Sequence, residues 1–174
     1  MTIIVEDGTV VAGAESYATV AYADTYHSNF GNSAWASLIT ATKEQYLRRA
    51  TQYMLQRYRK QWNGYRKDAV QVLDWPRSFV YTQPFVHGAV GAYPFLVSDI
   101  IVPEEVKVAC VELALKASTA TLMPDTTQQI KREKIGPIET EYSEFSQQSP
   151  QFRAIDALLS IYLRDSGISV ALTR

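Results

Sequence analysis

The chain has 174 residues, 47% of them apolar and 20% charged, with 17 Lys and Arg against 18 Asp and Glu. A single domain of this length buries roughly 70% of the surface its unfolded chain exposes, so a self-supporting core is expected; the near-zero net charge excludes a histone-like basic protein. One cysteine excludes an internal disulfide framework, and no run approaches the roughly 18 apolar residues of a membrane span.

Met1 is not followed by a basic segment and an apolar one, so the chain is expected to stay in the cytosol where it is made. Along the chain, Asp7-Gly8 stands between two β-branched runs in Ile3–Val11, which predicts a short strand pair or an extended arm. Ser16 suits the N-cap of a helix running to about Phe30 and ended by Gly31 and Asn32. A second helix is predicted from Thr42 and Gln45, which form a capping-box pattern, and from Leu47, Ala50, Met54 and Tyr58 at helical spacing. Trp62 and Gly64 mark its end.

Between Gly64 and Glu104 the periodicity fails. This stretch holds Pro76, Pro84, Pro94 and Pro103 together with Phe79, Tyr81, Phe85, Tyr93 and Phe95. Such a long aromatic loop is expected to pack on its own core or on another subunit. A third helix starts at Pro103, with Glu104 and Glu105 at the positive end of its dipole, a buried stripe of Val106, Ala109, Cys110, Leu113 and Ala117, and a stop at Pro124. Cys110 therefore reads as a small buried hydrophobe. Gly136-Pro137 then separates Lys131, Arg132 and Lys134 from Glu139, Glu141 and Glu144, predicting a hairpin that sets cations across from anions. A last helix begins near Ser149-Pro150, presents Phe152, Ile155, Leu159, Tyr162 and Leu163 on one face, and closes at Gly167. The expected fold is mainly α: a small bundle of about four helices with a β-hairpin or extended arm and a long aromatic loop. One domain over 1–174 is expected, with an arm at 1–15, a helical core at 16–122 and 149–166, and a hairpin arm at 128–145.

Charge is unevenly placed. The first 42 residues hold Glu6, Asp7, Glu15 and Asp24 and no Lys or Arg, whereas the next 26 hold Lys43, Arg48, Arg49, Arg57, Arg59, Lys60, Arg66 and Lys67 against Glu44 and Asp68. With Tyr53, Tyr58, Trp62 and Tyr65 interleaved, the basic stretch could supply phosphate contacts and stacking platforms. It equally suits the outer face of a helix buried in a protein assembly. Helical spacing puts Tyr58 in the core and leaves Trp62 and Tyr65 undecided.

Catalytic signals are absent. His27 and His87 belong to no metal-binding spacing, and there is no phosphate loop, dinucleotide fingerprint or nucleophile elbow. The adjacent carboxylates Glu6-Asp7 and Glu104-Glu105 read as turn and helix-start residues. Neither an enzyme nor a cofactor nor a metal site is expected.

The elements "VEDGTVVAGAESY", "LRRATQYMLQRYRKQWNGYR", "VLDWPRS", "VPEEVKVACVELALKA", "KREKIGPIETEY" and "IDALLSIYLR" follow one another from Val5 to Arg164. In order and spacing they resemble a family of tailed-phage proteins called DnaT-like and counted among head-tail adaptors or connectors. The resemblance implies a mostly helical virion protein that closes a ring of about twelve subunits beneath the portal of the capsid. It also implies a docking surface for a tail terminator or stopper protein, with DNA passing through the lumen without sequence-specific binding. The location implied is the neck of the virion, and the host cytoplasm during assembly. On that reading Arg48, Arg49, Arg57, Arg59 and Lys60 are inter-subunit or portal-facing charges, and Lys131, Arg132, Lys134, Glu139, Glu141 and Tyr142 belong to an interface-forming hairpin. The label DnaT-like implies the competing alternative of a single-stranded nucleic-acid-binding replication protein. The region Phe79 to Phe95 is longer and more aromatic than the shortest pattern of the family, so no contact of that loop is carried over.

Overall fold

The computed structural model describes residues 2–82, 95–125, 132–135, 138–141 and 151–164. His87, Lys131, Tyr142, the Gly136-Pro137 turn, the start at Ser149-Pro150 and the stop at Gly167 lie outside the described residues. The architecture is mainly α, as expected, with five α-helices and two short antiparallel ladders among the described residues.

Helix α1 (Val20–Asn29) starts from Thr19, whose Oγ1 accepts the Tyr22 amide at 3.0 Å. Ser16, the expected cap, is held three residues earlier, where its hydroxyl donates to the Ala18 carbonyl and accepts the Ala18 amide. A one-turn helix, α2 (Ser33–Ala36), follows; it buries Trp35 and points its indole N–H at Asp24. Helix α3 (Thr40–Tyr58) buries the expected stripe of Leu47, Ala50, Met54 and Tyr58. The expected capping box at Thr42 is not formed, because the helix starts two residues earlier, after Ile39, with no side-chain cap.

Helix α4 (Glu104–Ala117) begins after Pro103 with both acids in its first turn and buries Val106, Ala109, Cys110, Leu113 and Ala117 against α3. It ends at Ser118, short of Pro124. Cys110 lies at this seam, 3.4 Å from Thr51 Oγ1 and 3.8 Å from Ser16 Oγ, and burial pushes its thiol above the usual range. Helix α5 (Arg153–Leu159) and the single turn Ser160–Tyr162 bury Ile155, Leu159 and Tyr162, ending at Leu163.

Tyrosine hydroxyls tie these helices together. Tyr22 donates to Glu104, Tyr26 to Glu112 at 2.9 Å, Tyr58 to Asp156 at 2.6 Å and Tyr162 to Glu105 at 2.7 Å. Burial, then the carboxylate, raises the Tyr26 hydroxyl to about 12, so it remains a donor.

The expected strand pair at Asp7-Gly8 is absent. Instead the buried Glu6 carboxylate accepts the amides of Gly8, Val10 and Val11 at 2.9–3.0 Å, coiling the segment into a loop. Gly8 has φ +109°, and an added Cβ would lie 2.2 Å from the Ile100 carbonyl oxygen, so the loop packs backbone to backbone on the segment before α4.

The stretch after α3 is less irregular than expected. Strands β1 (Tyr65–Arg66) and β2 (Arg77–Ser78) pair Tyr65 with Ser78 and Arg66 with Arg77. The predicted hairpin also forms: β3 (Arg132–Ile135) and β4 (Ile138–Glu141) set Arg132 opposite Glu141 and Lys134 opposite Glu139.

Candidate nucleic-acid interface

The cations of α3 are distributed over different faces and different fates. Arg48 is committed within the chain, 2.9 Å from Glu15 and 3.7 Å from Glu44. Lys43 is buried against Asp24 at 2.9 Å and lies over the Trp35 ring. Arg49 stacks over Tyr46 and borders a groove of about 410 Å³ lined by Tyr53, Ala117, Leu122 and Met123. Arg57 is half-buried beside the Tyr53 and Tyr58 hydroxyls. Only past the C-terminal end of α3 do the positive side chains gather.

That gathering is organised by the segment Leu73–Arg77, every residue of which is buried. Asp74 accepts Arg59 Nε at 3.1 Å, while the Asp74 amide donates to the Tyr17 hydroxyl at 2.9 Å. Arg77 is a buried fork: its Nε and Nη2 donate to the carbonyls of Asn63 and Gly64 at 2.8 and 2.9 Å, and Nη1 donates to the Asp74 carbonyl at 3.2 Å. Trp62, Trp75 and Tyr162 wedge beneath it with ring centroids 5.4–5.6 Å apart.

Arg66, brought opposite Arg77 by the β1–β2 ladder, and Arg164, anchored by its amide to the Gln61 carbonyl at 2.6 Å, complete the group. Three arginines, Arg59, Arg66 and Arg77, thus surround the carboxylate of Asp74, and Arg164 lies close enough to act on Arg77. Burial raises the Asp74 carboxyl above its ordinary value, opposed by Arg59, Arg77 and Arg66. Burial also lowers Arg77; Asp74 and Tyr17 oppose the shift, and Arg164 and Arg66 add to it. Arg66 and Arg164 are exposed, as are the neighbouring Lys60 and Lys67, and none of these four makes an ion pair among the described residues. A surface with this excess of fixed positive charge attracts a polyanion and gives up its counterions on binding.

Aromatic surface stands beside it. Tyr65 is 70% exposed and Phe79 66%, their rings edge-on with centroids 6.5 Å apart. Of the other aromatics of the basic stretch, Tyr53, Tyr58 and Trp62 are buried and Tyr46 is half-buried under Arg49.

Of the predicted interface residues, then, Arg59 falls in the cluster and the exposed Lys60 follows it in sequence. Arg48, Arg49 and Arg57 do not fall in it. Arg132, Lys134, Glu139 and Glu141 lie on the separate hairpin. Arg66 belongs to the predicted basic stretch and Phe79 to the predicted aromatic loop, but neither was singled out as an interface residue, and Arg164 was not either. The "YR" directly after Gly64 was a legible signal, whereas Arg164 comes from an element a hundred residues away. Among the described residues no group of three or more His, Cys, Asp or Glu is placed to hold a metal ion, and no helix is long and apolar enough to cross a membrane.

Residues 1–174 match the model of a family described as "Putative DnaT-like ssDNA binding protein". No curated protein and no solved structure matches the chain.

Proposed function

We propose, on the premise that the chain belongs to this DnaT-like family, that it binds single-stranded DNA through the arginine cluster at the C-terminal end of α3. The observation that carries this reading is the concentration of Arg59, Arg66 and Arg77 around one carboxylate, with Arg164 acting on Arg77 and the exposed Lys60 and Lys67 next to Arg59 and Arg66 in sequence. Arg77 and Asp74 are the buried frame; Arg59, Arg66, Arg164 and the two lysines are the groups that reach phosphate. Binding of this kind is independent of sequence and falls with salt, each single-strand phosphate contact contributing a slope of about 0.7 to log affinity against log salt. Anisotropy titrations of a labelled oligothymidylate at two salt concentrations test it. Replacing Arg66 and Arg164 together with Ala should weaken binding and flatten the slope by roughly one to two, while Arg49→Ala should leave both unchanged. An unaltered slope in the double variant would remove the cluster from the reading.

A second reading, the head-tail adaptor, is supported by a different observation. Arg48 and Arg59 are paired within the chain, which otherwise presents large exposed apolar side chains: Val70 is 84% exposed, Ile39 70% and Ile100 58%. The hairpin is a two-stranded sheet with charge-matched register, and such a ribbon is marginal alone and gains by lying against another chain. On this reading the partners are further copies of the chain in a ring of about twelve, the portal protein above, and a tail terminator or stopper below, in the neck of a virion. DNA would pass through the lumen, and neither reading calls for catalysis.

A further inference from the structure

We infer that Tyr65 and Phe79 form a base-stacking platform beside the arginine cluster, which makes the surface selective for single strands over duplex; the inference rests on the single-strand reading above.

Two independent observations carry it. The first is placement: both rings are about two-thirds exposed, Tyr65 on β1 and Phe79 directly after β2, beside a ladder whose root is fixed by buried Arg77. Neighbouring residues of a strand face opposite sides, so a single strand held by Arg66 reaches the aromatic pair by crossing the edge of this two-residue ladder, its phosphates on one side and its bases on the other. It then meets the combination that single-strand-binding surfaces use. Duplex DNA offers the same phosphates with its base faces already stacked, so it satisfies the cations alone. The second observation is the backbone at Phe79, whose φ of +60° lies in the left-handed region that bulky L-residues rarely adopt. The turn itself is needed, because Val80 next to it is buried and its carbonyl accepts the Val97 amide at 2.8 Å. The phenyl ring is not needed for the turn: Asn or Gly would take that conformation with less strain, and a ring left mostly in water returns little to the core. A strained bulky residue held out to solvent points to use of the ring itself.

The test separates stacking from folding. Oligothymidylate affinity, melting temperature and competition by a duplex of equal length are measured for the wild type, Tyr65→Ala, Tyr65→Phe and Phe79→Asn. Stacking loss corresponds to about ten-fold per ring, so Tyr65→Ala and Phe79→Asn should each weaken binding about that much, at an unchanged salt slope. Tyr65→Phe should bind as the wild type does, and Phe79→Asn should melt no lower than the wild type. If the wild type binds and these variants match it, or if affinity and melting temperature fall together, the platform is overturned and the cationic site stands. Duplex that competes as well as single strand also overturns it. No binding of oligothymidylate at low salt overturns both this inference and the reading beneath it; apolar self-association of the patch would then be seen as a concentration-dependent mass that Tyr65→Ala abolishes.

Discussion

At the scale of single residues, two buried polar side chains give the clearest consequences. His27 is 1% exposed, between Trp35 and Tyr26; its Nδ1 faces the Asn32 amide at 3.0 Å, and Lys43, Asp24 and Glu112 lie around it. Burial lowers its affinity for a proton below the ordinary value of 6.5, outweighing the Val111 carbonyl, Glu112 and Asp24, which pull the other way. Because the folded state resists protonation, the unfolded chain binds the extra proton first. Stability is therefore fully present above about pH 6.5 and declines as pH falls through that value. Thermal melts between pH 7.5 and 5.5 should show this decline, and His27→Gln should lessen it. Arg77 is the other case: it satisfies three carbonyls at once, and truncation leaves all three buried. Arg77→Ala should cost about 3 kcal/mol or more by urea denaturation, and Arg77→Lys should not restore it, since a single ammonium cannot reproduce the fork.

At the scale of elements, the β1–β2 ladder is the device that turns a disordered-looking sequence into a site. Gly64 has φ +66°, and an added Cβ would lie 2.2 Å from the Ser78 carbonyl oxygen and 2.7 Å from Val80. Gly64→Ala should therefore open the ladder and cost more than about 2 kcal/mol, read as a lowered urea midpoint, with α3 and α4 still folded by circular dichroism. The helices themselves were largely legible. The stripes Leu47–Ala50–Met54–Tyr58 and Val106–Ala109–Cys110–Leu113–Ala117 are buried as their spacing requires, and the hairpin pairs Arg132 with Glu141. Helix starts were not legible, because they depend on neighbours. The turn of α2, closed by Ser37 to Ser33 and Leu38 to Trp35, leaves Ile39 extended, and α3 begins from its carbonyl before Thr42 can act as a cap. Likewise Asp7-Gly8 reads as a hairpin until the Glu6 carboxylate takes the amides such a ladder would use. The candidate site was half legible for the same reason: Arg59 and Lys60 directly follow α3, whereas Arg66 and Arg164 are joined to them only through Asp74 and the Gln61 carbonyl.

At the scale of the whole molecule, the question is whether the exposed apolar side chains and the hairpin serve DNA or further protein. Binding a strand calls on the arginine cluster and its flanks, and leaves Val70, Ile39 and Ile100 in water and the two-stranded hairpin without a part in it. On the adaptor reading those surfaces would be where unlike faces of successive subunits meet until the rotation closes. The separating measurement is mass by light scattering with purified portal present, for the wild type and for a chain lacking Lys131 to Glu141. If the adaptor reading holds, the wild type forms a large complex with portal and the shortened chain does not, while oligothymidylate affinity is the same for both because the cluster lies elsewhere. A strand-binding protein gives the converse: no complex with portal in either case, and retained binding to the oligonucleotide. Ring formation unchanged by the deletion would show that the hairpin is not the joining element, and the exposed side chains of Ile39 and Val70 would then be the ones to replace.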